Sequence, residues 1–154
     1  MTLTERITSV DKLRSWTDQI PLRYEYTAGV AGEKFLRGLK EGRIIGSRCQ
    51  KCGKTFVPPK AYCVDCFVGI DRYREVRSQG TASAVAESYV DFDGRRLEKP
   101  RTYVFVTFRG TAGGLVQTAH GRRIKAGDRV ASKFKTAAKR TGSMSDFEFV
   151  KVRG

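Results

Sequence analysis

The chain reads as a mainly β protein with helices at its N-terminus, in which a short cysteine-rich segment precedes a small closed barrel of five strands. Two observations carry this reading. Four cysteines form two Cys-x-x-Cys pairs between Cys49 and Cys66, and five short apolar runs punctuated by Gly and Asp follow them. A length of 154 residues, 40% hydrophobic, sets the scale: one ordinary domain or two small ones, without room for two large cores. The expected organisation is a helical segment over 1–42, the cysteine segment over 43–70 and the barrel over 71–154.

Two helices are expected ahead of the cysteines. Over 8–20, Val10, Leu13, Thr17 and Ile20 fall near one helical face, Trp16 lies beside it, Ser9 suits a cap and Pro21 stops the run. Over 32–40, Phe35, Leu36 and Leu39 share one side, Arg37 and Lys40 the other, and Gly42 is the terminator. Between the cysteine pairs, an apolar stretch at Thr55, Phe56 and Val57 is halted by Pro58 and Pro59, which cannot donate to a sheet ladder.

After the cysteines, strands are expected over 80–90, 102–108, 115–119, 130–134 and 147–152, at the even spacing of a small barrel. The run Thr102 to Phe108 is apolar on both faces, as in a strand covered on both sides. Turns are expected at Asp91–Gly94 and Thr111–Gly114, and Ala126–Val130 reads as the tight turn entering the fourth strand. Residues 135–145 have no hydrophobic period and read as a polar loop.

The cysteines point to a metal. Each Cys-x-x-Cys loop presents two thiolates to one tetrahedral cation, and Gly53 after the first pair supplies a tight turn that aims backbone amides at sulfur. This is the knuckle pattern of a zinc ribbon, with Cys49, Cys52, Cys63 and Cys66 as ligands of one structural Zn2+. Two disulfides, an iron–sulfur centre and a redox-active pair are the alternatives. A cytosolic setting disfavours disulfides, zinc is the commoner occupant of paired knuckles, and neither pair stands at a strand-to-helix junction that would make a thiolate reactive. So small a segment has almost no core, and a structural zinc supplies about 10–16 kcal/mol of apparent binding energy at neutral pH.

The formal charge is +14, from 30 Lys and Arg against 16 Asp and Glu, and most of the excess lies after residue 70. From Arg122 to Arg140, eight basic side chains face only Asp128. Such a field favours anionic partners: phosphorylated cofactors, nucleic acid or acidic proteins. It is equally the composition of a solvated face. No apolar run is long enough for a membrane helix, and the first residues lack a signal-peptide pattern, so the expected location is the cytoplasm, away from membranes.

The order of parts resembles a known family. The run Phe35-Leu-Arg-Gly-Leu-Lys-Glu-Gly42, then Ile45-Gly-Ser-Arg-Cys49, Cys52-Gly53, Pro58-Pro59, Cys63-x-x-Cys66 and a basic five-stranded barrel are similar to zinc-ribbon proteins with an OB-fold domain. That family was long known as a domain of unknown function and is associated with acyl-CoA metabolism. The resemblance covers the chain from about Pro21 onward. It implies a rubredoxin-like zinc ribbon followed by a five-stranded OB-fold barrel, with all four cysteines as ligands. It also implies a non-catalytic accessory subunit of a thiolase-like or hydratase-like enzyme, a thiolase above all, that helps to bind or channel coenzyme A or acyl-CoA.

The residues agree with that role. A thiolase needs a nucleophilic cysteine and tuned proton-transfer groups, whereas all four cysteines are committed to metal and His120 is the single histidine, placed at a strand end as a structural residue. The chain is therefore expected not to catalyse alone. Contacts to coenzyme A would combine cations for phosphate with an aromatic surface for adenine, and Lys51, Lys54, Phe56 and Lys60 beside the metal have that mixture. The second reading is a single-stranded nucleic-acid-binding protein, for which Tyr89, Phe92, Tyr103, Phe105 and Phe108 would be stacking platforms. A third is an assembly subunit whose interface lies around Trp16 and Phe35.

Overall fold

The computed structural model describes residues 25–91, 93–120 and 123–152, so the helix expected over 8–20, Trp16 included, lies outside the described residues. The elements run α1 (Gly29–Glu41), β1 (Ile44–Arg48), β2 (Thr55–Val57), β3 (Arg72–Val76), β4 (Gln79–Val90), β5 (Arg96–Thr107), β6 (Ala112–His120), β7 (Arg129–Phe134) and β8 (Phe147–Lys151). No helix among the described residues is long and apolar enough to cross a membrane.

Helix α1 turns Ala31, Phe35, Gly38 and Leu39 inward, a stripe at helical spacing. It ends where the sequence places its terminator. Gly42 is left-handed at φ 82°, and its N–H returns to the Leu39 carbonyl at 3.0 Å. A side chain there would meet Arg140, since an added Cβ would lie 2.2 Å from a guanidinium nitrogen. Glycine thus lets a cation sit against the helix C-terminus, the end its dipole favours.

Strands β3, β1 and β2 make a small antiparallel sheet, with Ile44 opposite Val76 and Ser47 opposite Phe56. The remaining five close a ring. Strand β4 pairs with β5 and β7, β5 with β6, and β7 with β8, all antiparallel, and the parallel pairing of β6 with β8 completes the circuit. Closure leaves the ring itself no open edge, whereas the outer halves of β4 and β5, out to Val90 and Arg96, pair only with each other. All five expected strands are present, and Val104, Val106 and Phe108 alternate inward while Tyr103 and Phe105 stay half-buried on the other face.

One expected turn is displaced. The chain reverses at Phe108–Thr111, where the Thr111 N–H meets the Phe108 carbonyl at 3.2 Å, and Ala112–Gly114 are already strand. The reason is a second partner: Ala112 and Gly113 pair in parallel with Phe56 and Val57 of β2 before β6 continues along β5. This seam joins the small sheet to the barrel. Packing follows it, because Phe35 and Leu39 of α1, Ile44, Val57 and Val76 of the small sheet, and Val104, Val130 and Phe149 of the barrel form one core cluster.

The polar loop before β8 is built on a buried carboxylate. Asp146 is fully buried, and it accepts the backbone N–H groups of Thr141, Gly142 and Ser143 at 2.6–3.1 Å, the last within a capping box with Ser143. Burial alone would raise its pKa, but these amide donors outweigh burial and hold it below the ordinary carboxylate range. The loop in turn places Gly142 beside Leu36 and Lys40 of α1, so Asp146 ties helix to barrel. A carboxylate with a depressed folded pKa stabilises above its unfolded value, about 3.9, and that contribution disappears as pH falls below it. Asp146→Asn is expected to lower the thermal midpoint at pH 7 by several degrees and to flatten its fall below about pH 4; thermal unfolding followed by circular dichroism across that range checks both.

Candidate metal centre

The two knuckles are built alike. In the first, the Cys49 N–H donates to the Lys54 carbonyl at 2.9 Å and Gly53 N–H to Cys49 carbonyl at 3.0 Å. In the second, Cys63 N–H donates to Val68 carbonyl and Phe67 N–H to Cys63 carbonyl, both at 2.9 Å. Each loop needs a left-handed residue directly after its second cysteine. The first uses Gly53 at φ 73°; the second uses Phe67 at φ 54°, the one non-glycine residue with positive φ among those described. The connecting segment is tied down by Ser47, whose buried hydroxyl accepts the Lys60 N–H at 2.8 Å, and by Ile70 N–H on the Ala61 carbonyl at 2.7 Å.

These loops bring Cys49, Cys52, Cys63 and Cys66 together, with all four Sγ atoms within 4.8 Å of one another. Zinc–sulfur bonds of about 2.3 Å imply tetrahedral S···S edges of about 3.8 Å, and Cys52 and Cys63 Sγ lie 3.7 Å apart. That distance is far beyond a disulfide bond, and all four cysteines are free. Crowding divides the thiols. N–H donors of Cys52 and then Lys51 draw Cys49 down to about 7, whereas burial, reinforced by the neighbouring sulfurs of Cys52 and Cys63, pushes Cys66 up to about 12. A divalent cation among the four would remove this conflict by stabilising every thiolate at once. The donor set fits a structural metal.

Around the sulfurs the apolar support is thin: Cys49, Cys63, Phe56 and Ile70 are buried, with Cys66, Val68 and Ala112 packed against them. Phe56 is 3% exposed and belongs to this cluster, so it offers no open face to an adenine; the Lys60 ammonium sits 5.4 Å from its ring centroid. Lys54 is paired with Asp65 at 2.8 Å, and Lys51 is exposed. His120 stands on the surface 4.0 Å from Glu148, away from the sulfurs.

The second knuckle also shows what the sequence reading passed over. Tyr62, Val64 and Phe67 project outward beside the metal site, Phe67 at 85% and Tyr62 at 69% exposure. A cleft of about 810 Å³ continues from Tyr62 to helix α1, lined among others by Val30, Lys34, Ala61 and Ile70. The signal was present in the spacing: Gly follows the first Cys-x-x-Cys, and Phe stands at the matching place after the second.

The profile of a zinc-ribbon family described as "ChsH2, rubredoxin-like zinc ribbon domain" matches residues 37–71, which include all four cysteines. No curated protein matches the chain. Among solved structures, a protein of unknown function from the DUF35 family of Sulfolobus solfataricus is 35% identical, over 84% of this chain and 90% of that one, with a TM-score of 0.65. A structure described as "Ltp2-ChsH2(DUF35) aldolase" is 19% identical, over 77% and 91% of the two chains, with a TM-score of 0.57, and shares the fold. With a rubredoxin-like ribbon, a closed five-stranded barrel and this level of identity across nearly the whole relative, the chain belongs to the DUF35 family.

Proposed function

We propose that the protein is an accessory, non-catalytic subunit of an enzyme that processes acyl-CoA, most directly a thiolase-like enzyme, and that its zinc-held ribbon docks on that partner. The observation that carries this reading is Phe67. A left-handed conformation costs a non-glycine residue about 1–2 kcal/mol, and the matching position in the first knuckle is glycine. An exposed aromatic kept at such a position is strain without a structural return, the signature of a side chain retained for contact. Val64 and Tyr62, either side of Cys63 in sequence, are exposed as well and add apolar surface to the same knuckle. The structure that shares this fold is described together with an aldolase, and it supports a catalytic partner of this general kind.

Zinc in this reading is structural. Four thiolates fill a tetrahedral shell and leave no open position for substrate. Coenzyme A or an acyl-CoA ester would be held between the partner's active site and this chain, with Lys51 and Lys60, both exposed and outside any ion pair among the described residues, as candidate cations and Lys54 engaged by Asp65. The nucleic-acid reading finds less support on the barrel. Phe108 is buried, Tyr103 and Phe105 are half-buried, and the exposed Tyr89 hydroxyl bonds to the Glu87 carboxylate at 3.1 Å, which repels phosphate; Phe92 lies outside the described residues. The interface imagined around Trp16 and Phe35 loses Phe35, which is core.

Three outcomes are expected. Metal analysis should find about one zinc per chain, and Cys63→Ser should abolish zinc retention and lower the thermal midpoint of the whole chain, because the small sheet and the barrel share one core; iron with visible absorbance would contradict this. Phe67→Gly should retain zinc, with stability unchanged or raised by up to about 1 kcal/mol, since relief of the left-handed conformation is partly offset by glycine's entropy. The same variant should weaken partner binding about tenfold or more, as for an exposed aromatic anchor. Affinity purification of the tagged full chain after nuclease treatment should recover an acyl-CoA enzyme in stoichiometric amount, and recovery of nuclease-sensitive material alone would contradict the reading.

A further inference from the structure

From the geometry at one end of the barrel, we infer that Arg77, Arg109 and Arg129 form a binding site for the phosphate groups of a small phosphorylated ligand. The three residues come from distant parts of the chain: just before β4, just after β5 and at the start of β7. Strand pairing brings them together. Thr81 of β4 lies opposite Arg129 on one side and opposite Thr107 of β5 on the other, and cross-strand partners share a face. Arg109 follows two residues beyond Thr107, in the turn closed by Thr111, and Arg77 precedes Gln79 on β4 by two residues. Together with Gln79, Gly80 and Thr81 they line a groove of about 410 Å³, within the range of small-molecule sites.

Charge distinguishes this groove. None of its lining residues is acidic, and among the described residues none of the three arginines takes part in an ion pair. The neighbouring carboxylate in sequence, Asp128, is turned to Lys151 at 2.6 Å and to the Lys125 N–H at 2.8 Å. Elsewhere the chain balances such clusters. The cleft lined by Arg37, Arg43 and Arg74 also holds Glu41 and Glu75, and Arg43 pairs with both. Three uncompensated guanidiniums around one cavity repel one another, and the repulsion is relieved when an anion enters. Each guanidinium offers a planar fork of N–H donors that matches two phosphate oxygens; Gln79, whose amide oxygen lies 3.5 Å from Arg129, and the Thr81 hydroxyl add neutral partners.

The ligand chemistry is a phosphomonoester or diphosphate on a small molecule. Coenzyme A is one source and free phosphate or diphosphate the other. This site requires no partner enzyme, so it goes beyond the docking reading and can stand or fall apart from it. The test is calorimetric titration of the full, metal-loaded chain with pyrophosphate, with coenzyme A and with a single-stranded oligonucleotide. Pyrophosphate should bind, and Arg109→Gln and Arg129→Gln should each weaken it about tenfold, the loss expected for one charge-assisted contact. Arg101→Gln, a change to an exposed arginine outside the groove, should alter binding by less than about twofold. Coenzyme A binding with the same dependence on the groove identifies the cofactor as the source; pyrophosphate binding without it identifies the free anion. Absence of binding by both, groove variants that bind as well as the original chain, or a groove effect confined to the oligonucleotide would overturn the assignment.

Discussion

Four sulfur atoms within 4.8 Å of one another are a configuration that a metal-free chain resists, because thiolates repel and buried thiols resist ionisation. Everything around them depends on that repulsion being relieved. Among the described residues, the buried apolar cluster under the knuckles consists of Cys49, Cys63, Phe56 and Ile70, two of them ligands themselves, so the hydrophobic effect cannot hold the loops on its own. A divalent cation at the centre turns the weakest-packed part of the protein into a rigid one. The rigidity extends to the outward side of the second knuckle, where Phe67 is fixed in a conformation that an unconstrained loop would abandon.

The ribbon is not an appendage. Strand β6 pairs first with β2 and then with β5, and the core runs without a break from α1 through the small sheet into the barrel. Ring closure pairs the inner parts of β4 to β8 on both sides, and the free edge of the small sheet, β3, is lined with Arg72, Arg74 and Glu75, charges that discourage further strand pairing. The side chains it displays include exposed apolar residues at the ribbon and an arginine cluster on the barrel.

Much of this was legible from the residues alone, and physical reasons separate what was from what was not. The five barrel strands carry alternating apolar residues between Gly and Asp turns, a local pattern, and four of them appear within three residues of their expected bounds, while β5 starts six residues earlier, at Arg96. The cysteine pairs advertise their geometry because knuckle spacing is itself local. Helix α1 begins at Gly29 instead of Gly32, since its first turn buries only Ala31 and shows little period. Features that depend on partners distant in the chain were hidden. Ala112–Gly114 looks like a turn until β2 is placed beside it; Asp146 looks like one polar residue among many until three amides converge on it; and Phe56, an aromatic among lysines, turns inward to cover the sulfurs. The arginine groove draws only Arg129 from the conspicuous basic run and takes its other two members from 20 or more residues away.

A ribbon with an exposed aromatic, joined through a continuous sheet to a basic barrel, is suited to meet a partner through the second knuckle while the arginine groove takes an anion. Oxidative side-chain footprinting of the chain, free and in complex with the catalytic partner proposed for it, tests the docking role most directly. Tyr62 and Phe67 should be oxidised readily in the free protein and strongly protected in the complex; equal oxidation of both residues in the two states, with protection elsewhere, would contradict it.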